Sequence, residues 1–310
     1  MRRLLDMPAP PASCFVWPVF VVPGTGVCEP IAALPGQNRM SVDRLCGCLD
    51  PVVALGVGGV LLFGLVEDSG KDAEGSGAWD PAGAVPRAVA AIKVRFPDLV
   101  VVTDVCLCAY TAHGHCGRLG KRGEVLNDPT LPLLQRTALA HAAAGADLVA
   151  PSAMMDGQVQ AIRQALDGEG FQETGILSYS TKFASAMYGP FRDAERSAPQ
   201  SGDRGGYQAS YRNAGLALRE SALDEAEGAD MLMVKPALFY LDLLRDLRAR
   251  TDLPLAAYNV SGEYAMLVAT ADRGWGDLAA MARESLCAIR RAGADVLISY
   301  WANRYREVFS

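Results

Sequence analysis

Three times in this chain a helical pattern ends in Gly-Ala-Asp and passes straight into a β-branched run: at Gly145-Ala146-Asp147, Gly228-Ala229-Asp230 and Gly293-Ala294-Asp295. A glycine in that place suits a helix C-cap, and the residues after it open a strand. A recurring helix-to-strand junction calls for repeated units, and such units build a parallel sheet with helices outside it. Short apolar runs at 16–22, 60–63, 99–104, 147–151, 176–180, 231–235, 255–259 and 296–300 read as eight strands. Helical periodicity fills the intervals at 41–55, 84–96, 130–144, 156–166, 214–226 and 238–248, with two more stretches between 261 and 292. The expected fold is a single α/β unit, a (β/α)8 TIM barrel over 15–310, preceded by a short N-terminal arm over 1–14. A doubly wound open sheet is the competing arrangement, but no G-x-G-x-x-G follows an early strand.

Half of the 310 residues are hydrophobic, which supports a large core, and the formal net charge of -6 argues against nucleic acid and against an anionic membrane surface as partners. The longest uncharged stretch near the front, 51–66, has 16 residues broken by four glycines, short of the roughly 18–20 a membrane span needs. Asp6 and three prolines interrupt the place where a signal peptide needs an apolar run, so the expected location is the cytoplasm. In a reducing compartment the eight cysteines are expected as free or metal-bound thiols.

A barrel places its chemistry where strands end and the following loops begin. Those positions hold Asp104, Ser152, Tyr179, Lys182, Lys235, Ser261 and Tyr300, and three long loops surround them: the one after Val22, 105–128 and 188–208. Lysine is scarce, with five among 29 basic residues, so a lysine in an apolar setting needs a reason. Lys235 closes the apolar run that starts at Met231, where desolvation favours a neutral, nucleophilic amine. The bland alternative is a lysine snorkelling at the rim. Lys182 stands just past the preceding strand, and two ammonium groups in one mouth repel, which favours losing a proton from one of them.

Cys106, Cys108 and Cys116 offer three thiols within eleven residues, a set that suits zinc with an open fourth position, with His113 and His115 as further donors or supporting groups. Plain reduced cysteines are the alternative, and Cys46 and Cys48, inside a helical pattern, read as packing residues. Arg192 and Arg204 lie among glycines beside Lys182, and guanidinium forks bind carboxylates, although surface arginines would look the same.

The runs DVCLCAYTAHGHC (104–116), SAMMDG (152–157), KFASAMYGPFRD (182–193), MVKP (233–236) and YNVSGEY (258–264) together closely resemble the porphobilinogen synthase family, also called 5-aminolevulinate dehydratase, from about Phe15 onward. The resemblance implies condensation of two 5-aminolevulinate molecules to porphobilinogen with loss of two waters, in tetrapyrrole synthesis. It assigns imine formation to Lys235 for the first substrate and Lys182 for the second. It further assigns proton transfer to Asp104, the second carboxylate to Arg192, Arg204 and Gln208, the first to Ser261 and Tyr300, and catalytic zinc (Zn2+) to Cys106, Cys108 and Cys116. Glu220 matches an allosteric magnesium (Mg2+) site, and the family forms homo-oligomers, octamers or smaller. The chain departs from the commonest pattern at Ala153, Gln158, Gly205-Gly206 and Ala209-Ser-Tyr211, which bears on lid and assembly. A class I aldolase-like Schiff-base enzyme on the same barrel, without need of clustered thiols, and a non-catalytic paralogue are the rival expectations.

Overall fold

The computed structural model describes Leu4 and residues 6–310; positions 1–3 and 5 of the expected arm lie outside the described residues. Among the described residues ten strands form one sheet: β1 (Phe15–Val21), β2 (Cys28–Pro30), β3 (Asn38–Met40), β4 (Gly59–Gly64), β5 (Val100–Val105), β6 (Leu148–Pro151), β7 (Gly175–Lys182), β8 (Met231–Lys235), β9 (Leu255–Asn259) and β10 (Val296–Ser299). Strands β1 and β4 to β10 run parallel in sequence order, and β10 pairs with β1 to close the barrel. This is the (β/α)8 TIM barrel that the repeated junction calls for. β1 and β4 are buried along their whole length, as parallel strands between a packed interior and an outer helical layer must be.

The three Gly-Ala-Asp junctions share one geometry. Gly145, Gly228 and Gly293 have φ of 100°, 100° and 129°, a region that a side chain would make costly. The carboxylates of Asp147, Asp230 and Asp295 accept the backbone N–H of Val101, Ile176 and Leu255 on the preceding strand at 2.8, 2.7 and 3.0 Å. Their own N–H groups donate to the carbonyls of the same three residues at 3.0, 3.0 and 2.7 Å. Each aspartate thus sets the starting register of its strand against its neighbour. Asp147 and Asp295 also pair with Lys93 and Arg248, each at 3.0 Å.

The loops hold more structure than their composition announces. The segment after β1 forms the antiparallel β2–β3 hairpin, and β3 adds to the upper end of β1 through Phe20 opposite Arg39. Within 188–208 lies the helix Gly189–Glu195, with Pro190 in its first turn, where a missing N–H costs nothing. At the other end of the barrel the Tyr305 hydroxyl donates to the Pro10 carbonyl at 3.0 Å, and Phe15 packs edge-on against Tyr305 and Phe309. Among the described residues no helix is long and apolar enough to cross a membrane.

Candidate active site

Lys182 and Lys235 end adjacent strands as Cα register partners, and both are about 95% buried. Lys235 Nζ stands over the rings of Tyr258, Tyr179 and Phe191 at 4.5, 4.8 and 5.0 Å, with Tyr188 and Phe63 at 5.4 and 6.0 Å. Ring faces attract an ammonium, but taking the charge out of water costs more. Burial, and after it repulsion from Lys182, brings the Lys235 amine from the usual lysine range down to about 7. A substantial neutral fraction therefore exists near neutrality. Lys182 Nζ donates to the Ser152 carbonyl at 2.5 Å and lies 5.5 Å from the Tyr179 ring.

Asp104 rises from β5 into the same mouth. Burial raises its carboxyl above the ordinary range although Lys182 and Lys235 pull the other way, and its Oδ1 is buried without a hydrogen-bond partner. A buried carboxyl beside two amines is suited to moving protons.

Cys106, Cys108 and Cys116 bring their sulfurs within 4.8 Å of one another, all buried, and none is in a disulfide. Cys106 Sγ and Cys108 Sγ are 3.4 Å apart. Tetrahedral ligands at about 2.3 Å from zinc stand about 3.8 Å apart, so the set fits such an ion with little movement. Cys116 is held well below the usual thiol range by hydrogen bonds from Cys106 and then Cys108. His113 and His115 do not join the three sulfurs. His113 Nε2 lies 3.3 Å from the Ala73 carbonyl, while His115 contacts the Ser201 carbonyl at 3.0 Å and the Tyr207 hydroxyl at 3.2 Å, fastening the 196–210 loop. Cys46 and Cys48 lie half-buried on the helix Val42–Ala54, packed against the core.

Arg192, Arg204 and Gln208 converge from the lid formed by the helix Gly189–Glu195 and the loop after it. Arg192 Nε, Arg204 Nε and both amide atoms of Gln208 are buried with no hydrogen-bond partner in the protein, the donor and acceptor set a carboxylate-bearing ligand would satisfy. Arg204 is otherwise anchored, with Nη2 donating to the Gly114 carbonyl at 3.0 Å and the Ser197 carbonyl at 2.6 Å. Tyr300 is fully buried, its hydroxyl 3.2 Å from that of Tyr258. The Ser261 hydroxyl is already engaged: it accepts from the Phe191 N–H at 3.0 Å and donates to the Met187 carbonyl at 3.2 Å, tying the lid to the helix Ser261–Asp272.

Glu220 stands apart from the lysines. It lines a cavity of about 880 Å³ on the outer side of β7, together with Asp156, Asp224 and Glu227. Burial, and then the charge of Asp156, raises the Glu220 carboxyl.

Sequence reasoning missed two features. The aromatic cage of Lys235 draws on four strand or loop segments that no local pattern links. Glu195 is also absent from the sequence reading, yet it is 3% exposed, with Oε2 3.3 Å from Cys108 Sγ and 2.6 Å from the Ser197 hydroxyl. Burial, and then Asp104, pushes its carboxyl up to about 7. The only signal in the sequence is its place in the long 188–208 loop, three residues from Arg192.

The sequence model of delta-aminolevulinic acid dehydratase matches residues 1–308. The chain belongs to the delta-aminolevulinic acid dehydratase family. Curated members of this family resemble it along nearly their whole length. The delta-aminolevulinic acid dehydratase of Synechococcus elongatus is 48% identical over 97% of this chain and 93% of its own. That of Methanothermobacter thermautotrophicus is 52% identical over 94% and 88%, and that of Escherichia coli 50% identical over 93% and 87%. The Toxoplasma gondii dehydratase, also called porphobilinogen synthase and solved in complex with the reaction product porphobilinogen, superposes with a TM-score of 0.95. It is 42% identical and covers 98% of this chain and 86% of its own. Within the family's barrel, the lysine pair and the three-cysteine candidate metal centre occupy one mouth.

Proposed function

We propose that this chain is a hydro-lyase that condenses two molecules of 5-aminolevulinate into porphobilinogen and two waters. The observation that carries this reading is the register pairing of two buried lysines, one of them in a desolvating aromatic cage, at the mouth that also holds three clustered thiols. A keto acid needs an amine for its carbonyl and a cation for its carboxylate, and joining two keto acids needs each provision twice.

Lys235, with its lowered proton affinity, takes the carbonyl carbon of the first substrate, and Lys182 that of the second. Each carbonyl oxygen leaves as water when its carbon bonds a lysine nitrogen. Carbon–carbon bond formation followed by elimination frees one lysine, and attack by a substrate amino group frees the other, so both amines return and two waters are the net loss. Asp104, buried within reach of the charges of both lysines, passes protons during these exchanges. Arg192, Arg204 and Gln208 receive the second carboxylate; Ser261 and Tyr300 border the first, with Ser261 acting through the lid contacts it already makes. Cys106, Cys108 and Cys116 would hold zinc, which supplies Lewis-acid polarisation of the second substrate when bound.

Several further roles belong to this reading. Glu220 and the acids around it draw a divalent cation such as magnesium to the cavity behind β7. Residues 1–14 form an arm toward a neighbouring copy of the barrel 15–310, and the exposed Tyr211, Leu216 and Leu223 near that cavity supply apolar surface for a homo-oligomer, an octamer or smaller. The enzyme works in the cytoplasm on a small soluble substrate. Incubation with 5-aminolevulinate and colorimetric detection of the pyrrole tests the reading. Absence of pyrrole from the zinc-loaded protein would sink it.

A further inference from the structure

An irregularity in β7 decides which way Lys182 points. Ser178 lies opposite Leu232 of β8 and Thr181 opposite Val234, so Tyr179 and Ser180 together face the single residue Met233. Two residues opposite one make a β-bulge, and a bulge shifts the in-and-out alternation of every side chain beyond it. The side-chain contacts follow that shift. Tyr179 faces the barrel interior, its ring 4.8 Å from Lys235 Nζ. Ser178, Ser180 and Thr181 all face outward, toward the helix Ala214–Ala226. Lys182 then turns inward to the Ser152 carbonyl.

Strict alternation from Ser178 would give a different result: Thr181 would face inward, and Lys182 would face the outer helix. The bulge reverses both, and what holds it is a set of hydroxyls. Thr181 Oγ1 lies 2.5 Å from Ser221 Oγ, and Ser221 Oγ lies 3.1 Å from Ser180 Oγ and 3.2 Å from the Ala217 carbonyl. One serine of the helix thus grips both consecutive outward residues. Just before the bulge, Ser178 Oγ donates to Asp224 Oδ2 at 2.5 Å. Just after it the ladder resumes, with the Phe183 N–H donating to the Lys235 carbonyl at 3.0 Å.

We propose that Ser180, Thr181 and Ser221 are positioning residues for Lys182: their hydroxyl bonds lock the β7 bulge that turns this lysine into the barrel mouth. The catalytic consequence rests on the reading of Lys182 as the second imine-forming lysine, whereas the direction of the side chain does not. Thr181→Val fills the space of the threonine without a bond to Ser221. A one-residue change of phase moves an amine by the width of a strand, far more than reaction geometry tolerates.

The test compares the double variant Thr181→Val, Ser221→Ala with Thr181→Ser, which keeps the hydroxyl. Each full-length enzyme is treated with borohydride and 5-aminolevulinate, and adducts at Lys182 and Lys235 are quantified by peptide mapping, with thermal unfolding as the check on folding. The double variant is expected to keep its Lys235 adduct and to lose Lys182 adduct by at least about tenfold. Thr181→Ser is expected to match the wild type. A folded double variant with the wild-type ratio of adducts overturns the proposal; if the double variant does not fold, Ser221→Ala alone is read by the same ratio. If the wild type itself gives no Lys182 adduct, the imine reading of Lys182 fails separately. A crystal structure of the variant then decides the positioning claim: Nζ displaced from Ser152 supports it, and a retained bulge overturns it.

Discussion

Lys182 and Lys235 sit opposite each other at the ends of adjacent parallel strands, one tethered to the Ser152 carbonyl and the other enclosed by five aromatic rings. The two amines stand in different surroundings before any substrate arrives. Burial has lowered the proton affinity of Lys235 to about 7.

Imine formation at Lys235 should rise with pH through a midpoint near 7, because only the neutral amine attacks. An ordinary lysine, titrating near 10.4, would be neutral about a thousandfold less often at pH 7. Borohydride trapping of labelled substrate across pH, followed by peptide mapping, measures this. A midpoint near 10, or labelling confined to Lys71, Lys93 and Lys121, contradicts it.

Removing the metal should abolish turnover and lower stability together. With free zinc at about a hundred times its dissociation constant, binding stabilises the fold by about 2.7 kcal/mol, so a chelator should lower the Tm and added zinc restore it. Cys106→Ala with Cys108→Ala leaves one sulfur of three and should bind no zinc by metal analysis. Full activity in that double variant would remove the cysteines from the chemistry.

Arg192→Leu and Arg204→Leu should each weaken binding of the second substrate by about 1.5–3 kcal/mol, roughly ten- to hundredfold in KM, while the first imine at Lys235 still traps. The two should differ in stability. Arg204 also anchors the Gly114 and Ser197 carbonyls, so its loss loosens the lid and lowers the Tm. Loss of the first imine in either variant would show that the two carboxylate sites are not separate.

Glu263 is fully buried and accepts from Leu238 N–H at 2.8 Å, Val260 N–H at 3.0 Å and Asn259 Nδ2 at 3.0 Å, joining the loops after β8 and β9. Glu263→Ala strands these donors and should cost about 3 kcal/mol by denaturant unfolding. A change below about 1 kcal/mol would mean that water or rearranged backbone satisfies them.

Magnesium should shift the protein toward a larger assembly, and Glu220→Ala should remove the shift, since the cavity beside Glu220 gathers six acids, Glu220 with Glu124, Asp156, Asp203, Asp224 and Glu227, near exposed Leu216 and Leu223. Light scattering across a magnesium titration reads the outcome. A fully active monomer at every concentration contradicts both statements.

The barrel was legible because its signals are local. A glycine with positive φ and an aspartate that reaches the preceding strand are both written in three consecutive residues, and the same solution recurs at Asp147, Asp230 and Asp295. The lysines and cysteines were legible for a similar reason: scarcity and spacing mark them without reference to distant segments. The cage around Lys235, the place of Glu195 against Cys108, and the engagement of Ser261 by Phe191 and Met187 were not, since each joins segments far apart in the chain. Lys182 shows the division most clearly. Its presence near a strand end is a property of the sequence, but strict alternation from Ser178 would point it away from the mouth. Only the bulge opposite Met233, held by a serine on another element, turns it inward, because side-chain direction in a strand depends on register with a neighbour that the strand's own residues do not specify.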